Sequence, residues 1–514
     1  MSKTIIIIGA GLAGLSAALQ AAENGCNVKL VSSLPSERAQ SVMAEGGINA
    51  ALNTKDENDS PEEHFTDTIK AACGLADPNA VWGMTQAAPE LVHWLLKLGV
   101  KFNMSGHDDV DLRNFGGQKK KRTAFAQSDT GKQIMTAMID AVRRKEASGM
   151  VERFSHHSFL TLRLCGNICC GCVIRDEYSQ ETVELPGDAV IVATGGMHGL
   201  FGNTTGSLSN TGEVTAELFR LGVPLANGEM IQYHPTTVKC GGKRMLISEA
   251  ARGEGGRLFA TKDGKRWYFM EEKYPELGNL MPRDITAREI WNVSHESEVF
   301  LDMTEISEEI ISNKLSGLAD DCMTYLHKDI RKEPVSVLPG IHYFMGGILV
   351  DEQHRTPIQN LCAAGECCAQ YHGANRLGGN SLLGALYGGR VAAKSACEQA
   401  DVVDLSCATQ IDFPPASQIS EIKQLNKVMQ ETMGVVRNEN TLLNGIQTVQ
   451  ALTGNLPLLG MAVLKSALAR KESRGAHWRE DYPKSNDDDY LKTTVARFDG
   501  KQIQISFVPV PERR

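Results

Sequence analysis

Three glycines near the start of the chain have the spacing that binds a phosphate group. Gly9, Gly11 and Gly14 form a G-x-G-x-x-G pattern directly after four isoleucines at 5–8. The isoleucines predict a strand buried on both faces, and the Ala- and Leu-rich segment that follows predicts a helix. In that context Gly9 allows a tight turn, Gly11 lets a pyrophosphate approach the backbone, and Gly14 lets helix and strand pack closely. A tight turn without a ligand is the alternative, but the strand–turn–helix order favours a dinucleotide site.

The position that would bind the ribose of a dinucleotide departs from the usual pattern. A second strand is predicted at 27–31, and Ser32 and Ser33 stand where an Asp or Glu is usual. A serine hydroxyl can still hydrogen-bond a ribose hydroxyl, and the first acidic residues nearby are Glu37 and Glu45. We therefore expect Ser32 to contact the cofactor.

Polar and turn-forming residues are concentrated in three runs in the middle of the chain. The runs lie at 232–236, 247–256 and 281–284. They predict an inserted domain that carries site residues on loops. Glu249 and Arg252 are three positions apart, so one helical turn would bring them together as a pair.

The hydrophobic pattern predicts the elements that would position these groups. A buried strand at 188–196 ends in a glycine pair and would return the chain to the central sheet beside the cofactor. Helices are predicted at 64–75, 78–98, 129–144, 418–434 and 438–470, with another that opens within 372–383 and runs to 396. Further strands are predicted at 154–163, 171–175 and 361–366, with a short one near 502–508.

Composition limits the class of protein. The chain has 514 residues, enough for about three or four domains, and a net charge of −9, which gives no nucleic-acid footprint. It lacks a run of ~18 apolar residues and a signal-peptide pattern, so we expect a cytoplasmic protein. The basic run at 118–122 is expected to be a solvated face.

The thirteen cysteines are an odd number, which favours free thiols over a disulfide framework. Cys165, Cys169, Cys170 and Cys172 form the densest group. Zinc or iron–sulfur ligation is one hypothesis, but the spacing fits no common ligand pattern, and the glycines among these residues predict a β-hairpin. We favour packed thiols.

Taken together, these landmarks resemble the flavoprotein subunits of fumarate reductase and succinate dehydrogenase, a family that includes L-aspartate oxidase. The resemblance covers nearly the whole chain. The segments that carry it, besides the glycine motif, lie at 44–50, 115–117, 234–236, 248–249, 251–256, 282–284, 342–347, 365–366, 372–376 and 473–477.

The resemblance implies an α/β fold with a Rossmann-like FAD-binding domain, an inserted α+β capping domain and a C-terminal helical domain. We expect the FAD-binding domain at 1–228 and 346–405 and the capping domain at 229–345. The helical domain would occupy 406–480 and a tail 481–514.

The resemblance also implies FAD as the cofactor and the residues that hold it. Glu366 is expected to hydrogen-bond ribityl or ribose hydroxyls of FAD. With the glycine motif and the strand ends, the expected cofactor residues are Gly9, Gly11, Gly14, Ser32, Ser41, Gly46, Gly47, Gly195, Gly365, Glu366, Ser381 and Leu382.

The reaction implied by the resemblance is reduction of a C=C bond between two carboxylates, as in fumarate, or the reverse. Such a reaction needs a hydride donor, cations that clamp both carboxylates, and an acid that protonates the second carbon. The implied roles are a carboxylate site at His234 and Ser248, another at His342 and Arg376, an apolar contact at Phe115, the acid at Arg283, and a proton relay through Glu249 and Arg252.

Two departures from the family pattern refine this expectation. Gln40 stands where membrane-bound members attach FAD to a histidine, so we expect non-covalent FAD and a reductive direction. The chain has no haem-binding motif. Its electrons would therefore pass through an iron–sulfur partner subunit, a soluble carrier or dioxygen.

Three alternatives stay open at this stage. L-aspartate oxidase shares many of the motifs, a reductase of another unsaturated acid would need the same groups, and a non-catalytic electron-transfer subunit is a different class. Phe115 offers no partner for the ammonium of aspartate, and its flanking glycines predict an exposed loop. Asp284 is expected to hold the guanidinium of Arg283.

Overall fold

The computed structural model describes residues 2–106, 109–399, 413 and 418–514. A five-stranded parallel sheet lies at its centre, and its first strand, Thr4–Ile8, is the middle one. Isoleucines 5 to 7 of this strand are fully buried, as predicted for a strand covered on both faces. The strands stand in the order Leu361–Ala363, Ala189–Val192, Thr4–Ile8, Asn27–Ser32 and Val151–Ser155.

Helices cover the central sheet and build its largest apolar core. The helix that follows the glycine motif, Leu12–Glu23, packs against Asn380–Gln399 near the other end of the chain. The other helices of this layer are Pro61–Ala71, Pro78–Leu98 and Thr130–Ala147. Asp77 caps Pro78–Leu98 by accepting from the Asn79 N–H at 2.9 Å, and Gly99 ends it with a φ of 99°. The eight-residue helix Glu213–Arg220 packs elsewhere, against His157–Cys165 and Asn455–Ala469.

A small antiparallel sheet follows the edge strand Val151–Ser155 in the chain. Its strands are His157–Cys165, Ile168–Asp176 and Thr182–Pro186, and the first two form the predicted hairpin. The single strand predicted at 154–163 is two strands, because His156 has a φ of 58° and turns the chain into the second sheet. Cys169, Cys170 and Cys172 are buried free thiols in this hairpin, whereas Cys165 is disulfide-bonded, which corrects the expectation of a thiol there.

The middle of the chain forms an α+β unit with an apolar core of its own. A three-stranded sheet contains Ile231–Cys240, Lys243–Leu246 and Leu338–Phe344. A four-stranded sheet contains Arg257–Lys262, Lys265–Trp267, Val299–Asp302 and Val335–Ser336. The helices are Glu249–Gly253, Phe269–Lys273, Arg283–Val293, Glu308–Lys314 and Ser316–Asp321.

The C-terminal region combines helices with a hairpin. Its helices are Ile419–Thr432, Glu439–Val449, Asn455–Ala469 and the short Asp487–Tyr490. The expected boundary between 405 and 406 lies outside the described residues. The predicted tail strand is Ile503–Pro509, and the sequence missed its partner, Lys492–Phe498. This hairpin joins Leu225–Ala226, Gly347–Leu349 and Cys368–Ala369 in one five-stranded sheet.

The basic run at 118–122 is only partly the solvated face that was expected. Arg122 is fully buried, and its guanidinium lies 2.9 Å from carboxylate oxygens of both Asp59 and Asp67. A buried arginine needs such partners, because an unpaired buried charge is costly. Arg122 is therefore structural.

Candidate active site

A cavity of about 870 Å³ runs from the glycine motif to the α+β unit. Its first end lies at the carboxyl ends of the central strands, where open parallel sheets bind their ligands. Its second end is lined by charged side chains from the three-stranded sheet and the helices beside it. We call these ends the cofactor end and the substrate end.

Close packing explains the glycine motif at the cofactor end. A side chain at Gly9 would overlap the Ala193 carbonyl, and one at Gly14 would overlap the Gly9 carbonyl. Gly11 faces open cavity, since a Cβ there would meet nothing nearer than the Ser41 Oγ at 3.7 Å. The structure thus separates two glycines required by packing from one that leaves room for a ligand, in agreement with the sequence prediction.

Backbone turns build most of the remaining cofactor end. Gly47, Gly195 and Gly365 have φ values of 131°, 73° and 81°, which favour glycine. Ser381 and Leu382 lie in the first turn of Asn380–Gln399, so this helix points its N-terminus at the cavity. All twelve expected cofactor residues except Gly14 line the cavity.

Polar side chains at the cofactor end are placed to hold FAD. The Ser32 Oγ is buried and has no hydrogen-bond partner within the described ranges, so it is free to pair with a ribose hydroxyl. Glu366 also lines the cavity, and one of its oxygens accepts from the Phe344 N–H at 3.0 Å. With the helix N-terminus and the open space at Gly11, these groups fit a dinucleotide.

Arg113 fixes the turn between the two ends of the cavity. Its guanidinium donates to the Gly46 carbonyl from Nε at 3.0 Å and to the Glu45 carbonyl at 3.1 Å. It also lies 4.2 Å from the Phe125 ring centroid, a cation–π contact. Burial lowers the pKa of Arg113 to about 10. Sequence reasoning missed Arg113 as a site residue.

Two adjacent antiparallel strands present histidines to the substrate end. His234 lies in Ile231–Cys240 and His342 in Leu338–Phe344, and their rings are 5.1 Å apart. A bulge follows His234 in its strand. Burial, and next the charge of Arg283, hold the pKa of both histidines well below 6.5. Both rings are therefore neutral at neutral pH and can each donate one N–H.

A buried ion network lies beside the histidines. Glu249 receives the Arg283 Nε at 2.8 Å on one oxygen and the Arg252 guanidinium at 3.2 Å on the other. The Gly116 N–H also donates to Glu249, at 3.1 Å. Burial raises the pKa of Glu249, but the two guanidinium groups outweigh it and lower the pKa below its usual value. The predicted pairing of Glu249 with Arg252 is confirmed.

Gln232 is a residue of the network that sequence reasoning missed. Its side-chain oxygen accepts from Arg283 at 3.1 Å, and its amide donates to the Arg376 carbonyl at 2.9 Å. The available signal was its position two residues before His234, because a strand through both residues, as Ile231–Cys240 is, places them on one face. Gln232 therefore connects the two arginines of the substrate end.

Arg376 and Ser248 complete the substrate end. Arg376 lies 4.4 Å from the Tyr343 ring centroid, and its Nε has no hydrogen-bond partner in the described part of the chain. Burial, and next the charge of Arg283, lower the pKa of Arg376 to about 9, so it remains a cation at neutral pH. Ser248 caps the helix that carries Glu249 and lines the cavity. All eight expected substrate and catalytic residues except Arg252 line the cavity.

Two expectations about this end are wrong. Asp284 does not hold Arg283, because the Arg283 guanidinium pairs with Glu249 instead. The cation whose charge acts on the pKa of Asp284 is Arg288. Phe115 is not on an exposed loop: it is only 2% exposed and packs into the core of the α+β unit. Its ring lies against Gly46, where a Cβ would come within 2.8 Å of it, and still borders the cavity.

The parallel sheet, its glycine turn and the polar cavity at its carboxyl end define an FAD-dependent oxidoreductase. The family profile described as "FAD binding domain" matches residues 4–382, and that described as "Fumarate reductase flavoprotein C-term" matches 452–513. The chain belongs to the family of succinate dehydrogenase and fumarate reductase flavoprotein subunits. The resemblance inferred from the sequence, its FAD cofactor and its fold class are thereby confirmed.

Named relatives cover the full length of the chain. The succinate dehydrogenase flavoprotein subunit of Bacillus subtilis is 38% identical, over 100% of this chain and 98% of that protein. The 8-methylmenaquinol:fumarate reductase flavoprotein subunit of Wolinella succinogenes is 32% identical, over 100% and 92%. A solved structure of Escherichia coli quinol fumarate reductase superposes with a TM-score of 0.90 at 27% identity and covers 99% of this chain and 97% of that one.

Proposed function

We propose that this flavoprotein reduces the C=C bond of fumarate to give succinate, with Arg283 as the proton donor. The observation that carries the proposal is the buried Arg283–Glu249–Arg252 network. It lies beside two neutral histidines and a further guanidinium, that of Arg376, whose Nε has no hydrogen-bond partner among the described residues. FAD, when bound at the cofactor end, supplies the hydride. The protein's part is to bind the dicarboxylate, polarise it and deliver the proton.

Two sets of groups would clamp the two carboxylates. His234 and Ser248 are assigned to one, and His342 and Arg376 to the other. The planar fork of Arg376 suits bidentate binding, and its Nε, which no group in the described ranges pairs with, supports this role. Binding both ends of the acid withdraws electrons from the double bond and stabilises the charge that develops on the second carbon.

Proton donation by arginine needs a strongly basic acceptor, because free guanidinium has a pKa above about 12. A carbanion-like carbon next to a carboxylate meets this condition. Arg283 must then regain a proton. Glu249 contacts the guanidinium groups of both Arg283 and Arg252, which supports the path assigned to it.

Aspartate oxidation is the weaker alternative. The ammonium of aspartate would need an acceptor near Phe115, and the nearby Glu249 carboxylate already accepts from two guanidinium groups. An unpaired ammonium in this buried site would cost several kcal/mol. Peroxide formation with aspartate at a rate comparable with fumarate reduction would overturn this assignment.

Gln40 lines the cavity where a histidine would be needed for a covalent bond to FAD. The amide of glutamine is not a nucleophile, so we assign non-covalent FAD and favour the reductive direction. Denaturation in acid or SDS should release all yellow colour from the polypeptide. Colour that stays with the protein would contradict this assignment.

We further propose that the immediate electron partner is an iron–sulfur subunit. The named relatives are subunits, which supports an iron–sulfur partner subunit for this chain and, through it, a peripheral position at a membrane. Among the described residues, every helix is too short or too polar to span a lipid bilayer. Purification from the native host would identify the proteins that accompany it.

Reduced viologen provides a direct test that bypasses the partner. The FAD-loaded protein should oxidise reduced viologen when fumarate is added, and malonate should inhibit competitively. Binding of malonate should also perturb the visible spectrum of bound FAD. Absence of both turnover and malonate binding would contradict the proposed function.

A further inference from the structure

The loop from His198 to Gly206 connects the two ends of the cavity. It follows the glycine pair at the end of the central strand Ala189–Val192 and runs beside Leu338–Phe344, the strand that carries His342. The Thr205 N–H donates to the Ile341 carbonyl at 2.9 Å. None of the residues of this loop was singled out in the sequence.

Thr205 makes the contact that matters for His342. The Thr205 Oγ1 lies 2.8 Å from the His342 Nδ1 and 3.4 Å from the Ile341 carbonyl, so its shorter contact is with the ring. His342 is neutral, because burial and the charges of Arg283 and Arg376 hold its pKa well below 6.5. A ring that accepts at Nδ1 carries its proton on Nε2. That tautomer can donate to a carboxylate.

His198 holds the preceding residue, Thr204, in the same way. It is fully buried, and its Nδ1 lies 3.0 Å from the Thr204 Oγ1, which itself accepts from the Gly206 N–H at 3.2 Å. A side chain at Gly206 would overlap the imidazole ring, so the loop is closed tightly around His198. The Thr204 hydroxyl is thus held between the Gly206 N–H and the His198 Nδ1.

The Nε2 of His198 faces the cofactor end. It lies 3.4 Å from the Glu366 carboxylate and has no hydrogen-bond partner among the residues the structure describes. The same Glu366 oxygen accepts from the N–H of Phe344, two residues after His342 in the substrate strand. The His198 ring also packs edge-on against Phe344, with centroids 5.0 Å apart. His198 therefore contacts the strand of His342 in two ways, through Glu366 and through the ring of Phe344.

We propose that Thr205 donates to the His342 Nδ1 and so fixes the tautomer of His342 that can bind a carboxylate through Nε2. His198 is the positioning residue: through its contacts with Thr204 and Glu366 it keeps Thr205 in place beside His342. The proposal rests on the proposed function, because it names the groups that prepare one of its carboxylate sites. It adds that the substrate histidine is oriented from the cofactor side of the cavity.

Threonine variants test the tautomer directly. Thr205→Val keeps the shape and removes the hydroxyl, so the malonate Kd, read from the spectrum of bound FAD, should rise about tenfold, the effect of one lost hydrogen bond to a charge-binding group. The KM for fumarate should rise with it and kcat should change less, because the interaction is uniform binding. Thr205→Ser should restore wild-type affinity. Thr432→Val, which removes a buried hydroxyl bonded within its own helix, is the matched control.

A double-mutant cycle tests the role of His198. His198→Asn and Thr205→Val should each weaken malonate binding, and the double variant should be weaker than Thr205→Val by less than about threefold, since both act through His342. Additive losses would overturn the coupling. Should His198→Asn fail to fold, the Thr205 variants decide alone: wild-type malonate affinity in Thr205→Val, or failure of Thr205→Ser to restore it, would overturn the proposal. Wild-type protein that does not bind malonate would instead contradict the proposed function.

Discussion

The two ends of the cavity are lined by different kinds of chemical group. The cofactor end consists mainly of backbone: glycine turns, a helix N-terminus and the ends of parallel strands. The substrate end consists of buried charged side chains that are balanced against one another, with Glu249 between two arginines. A backbone site tolerates little change in shape, whereas a charged site tolerates little change in its partners.

The largest effect should come from Arg283. Arg283→Ala should lower kcat for fumarate reduction by roughly 10²–10⁴-fold, the usual contribution of a positioned acid. Arg283→Lys should restore little, because its ammonium lies elsewhere than the guanidinium. Turnover with reduced viologen, together with FAD content and malonate binding, provides the measurement.

Arg288 provides the matched control for Arg283. It lies five residues later in the same helix, but its guanidinium stacks 3.9 Å from the Trp478 ring centroid, outside the cavity. Arg288→Ala should keep wild-type kcat. An Arg283→Ala variant with more than about a tenth of wild-type kcat, which is less than ~1.4 kcal/mol of lost barrier stabilisation, would refute the acid role.

At the cofactor end, two glycines of one motif should respond differently. Gly14→Ala should lower the free energy of unfolding of the apoprotein by about 1–3 kcal/mol, because its Cβ overlaps the Gly9 carbonyl. Gly11→Ala should leave the unfolding free energy within about 0.5 kcal/mol of wild type and weaken FAD binding, because its Cβ enters the cavity. Denaturant unfolding and FAD titration separate the two. Equal changes in the free energy of unfolding would show that steric overlap does not distinguish Gly14 from Gly11.

Glu45, where the two ends meet, should make dicarboxylate binding depend on pH. Burial, and next the charge of Asp321, raise its pKa to about 8, while Arg113 opposes the shift and Asp129 adds to it. The carboxyl is neutral below that value and adds a negative charge above it. The malonate Kd should therefore rise above about pH 8, by up to about tenfold per pH unit.

The raised pKa of Glu45 also makes the stability of the protein depend on pH. The unfolded chain releases the Glu45 proton near its ordinary pKa of 4.5 and the folded protein near 8. The contribution of Glu45 to stability is therefore greatest below 4.5 and falls as the pH rises towards 8. Glu45→Gln should remove both effects. The comparison should stay below the pKa of Arg376, about 9, since loss of that cation also weakens binding. An unchanged pH profile in Glu45→Gln would contradict the assignment.

The smallest effect should come from Asp284, the neighbour of the proposed acid. Asp284→Asn should change kcat by less than about threefold, or ~0.7 kcal/mol, because this carboxylate makes no contact with Arg283. Burial raises the pKa of Asp284, so a neutral amide should leave the melting temperature unchanged or higher. The contrasting variant is Glu249→Gln, which changes the carboxylate that does pair with Arg283. It should abolish most turnover, because it leaves two buried guanidinium groups without a carboxylate.

Contiguous features of the chain were predictable. The glycine motif, the buried strand before it and the hairpin at the cysteines depend on neighbours in sequence, so local periodicity and turn chemistry reveal them. The resemblance to a family then supplied His234, His342, Arg376 and Arg283, which the fold brings to one cavity. These four are spread over more than a hundred positions.

The tertiary structure alone decided which charges pair and which groups are buried. Phe115 and Asp284 were misplaced because flanking glycines and sequence adjacency do not show what packs against a side chain. Gln232, Arg113 and Glu45 were missed as site residues because their roles come from contacts between distant segments. Those contacts set desolvation and the distances between charges, and with them the pKa of each group and the direction in which it donates a proton.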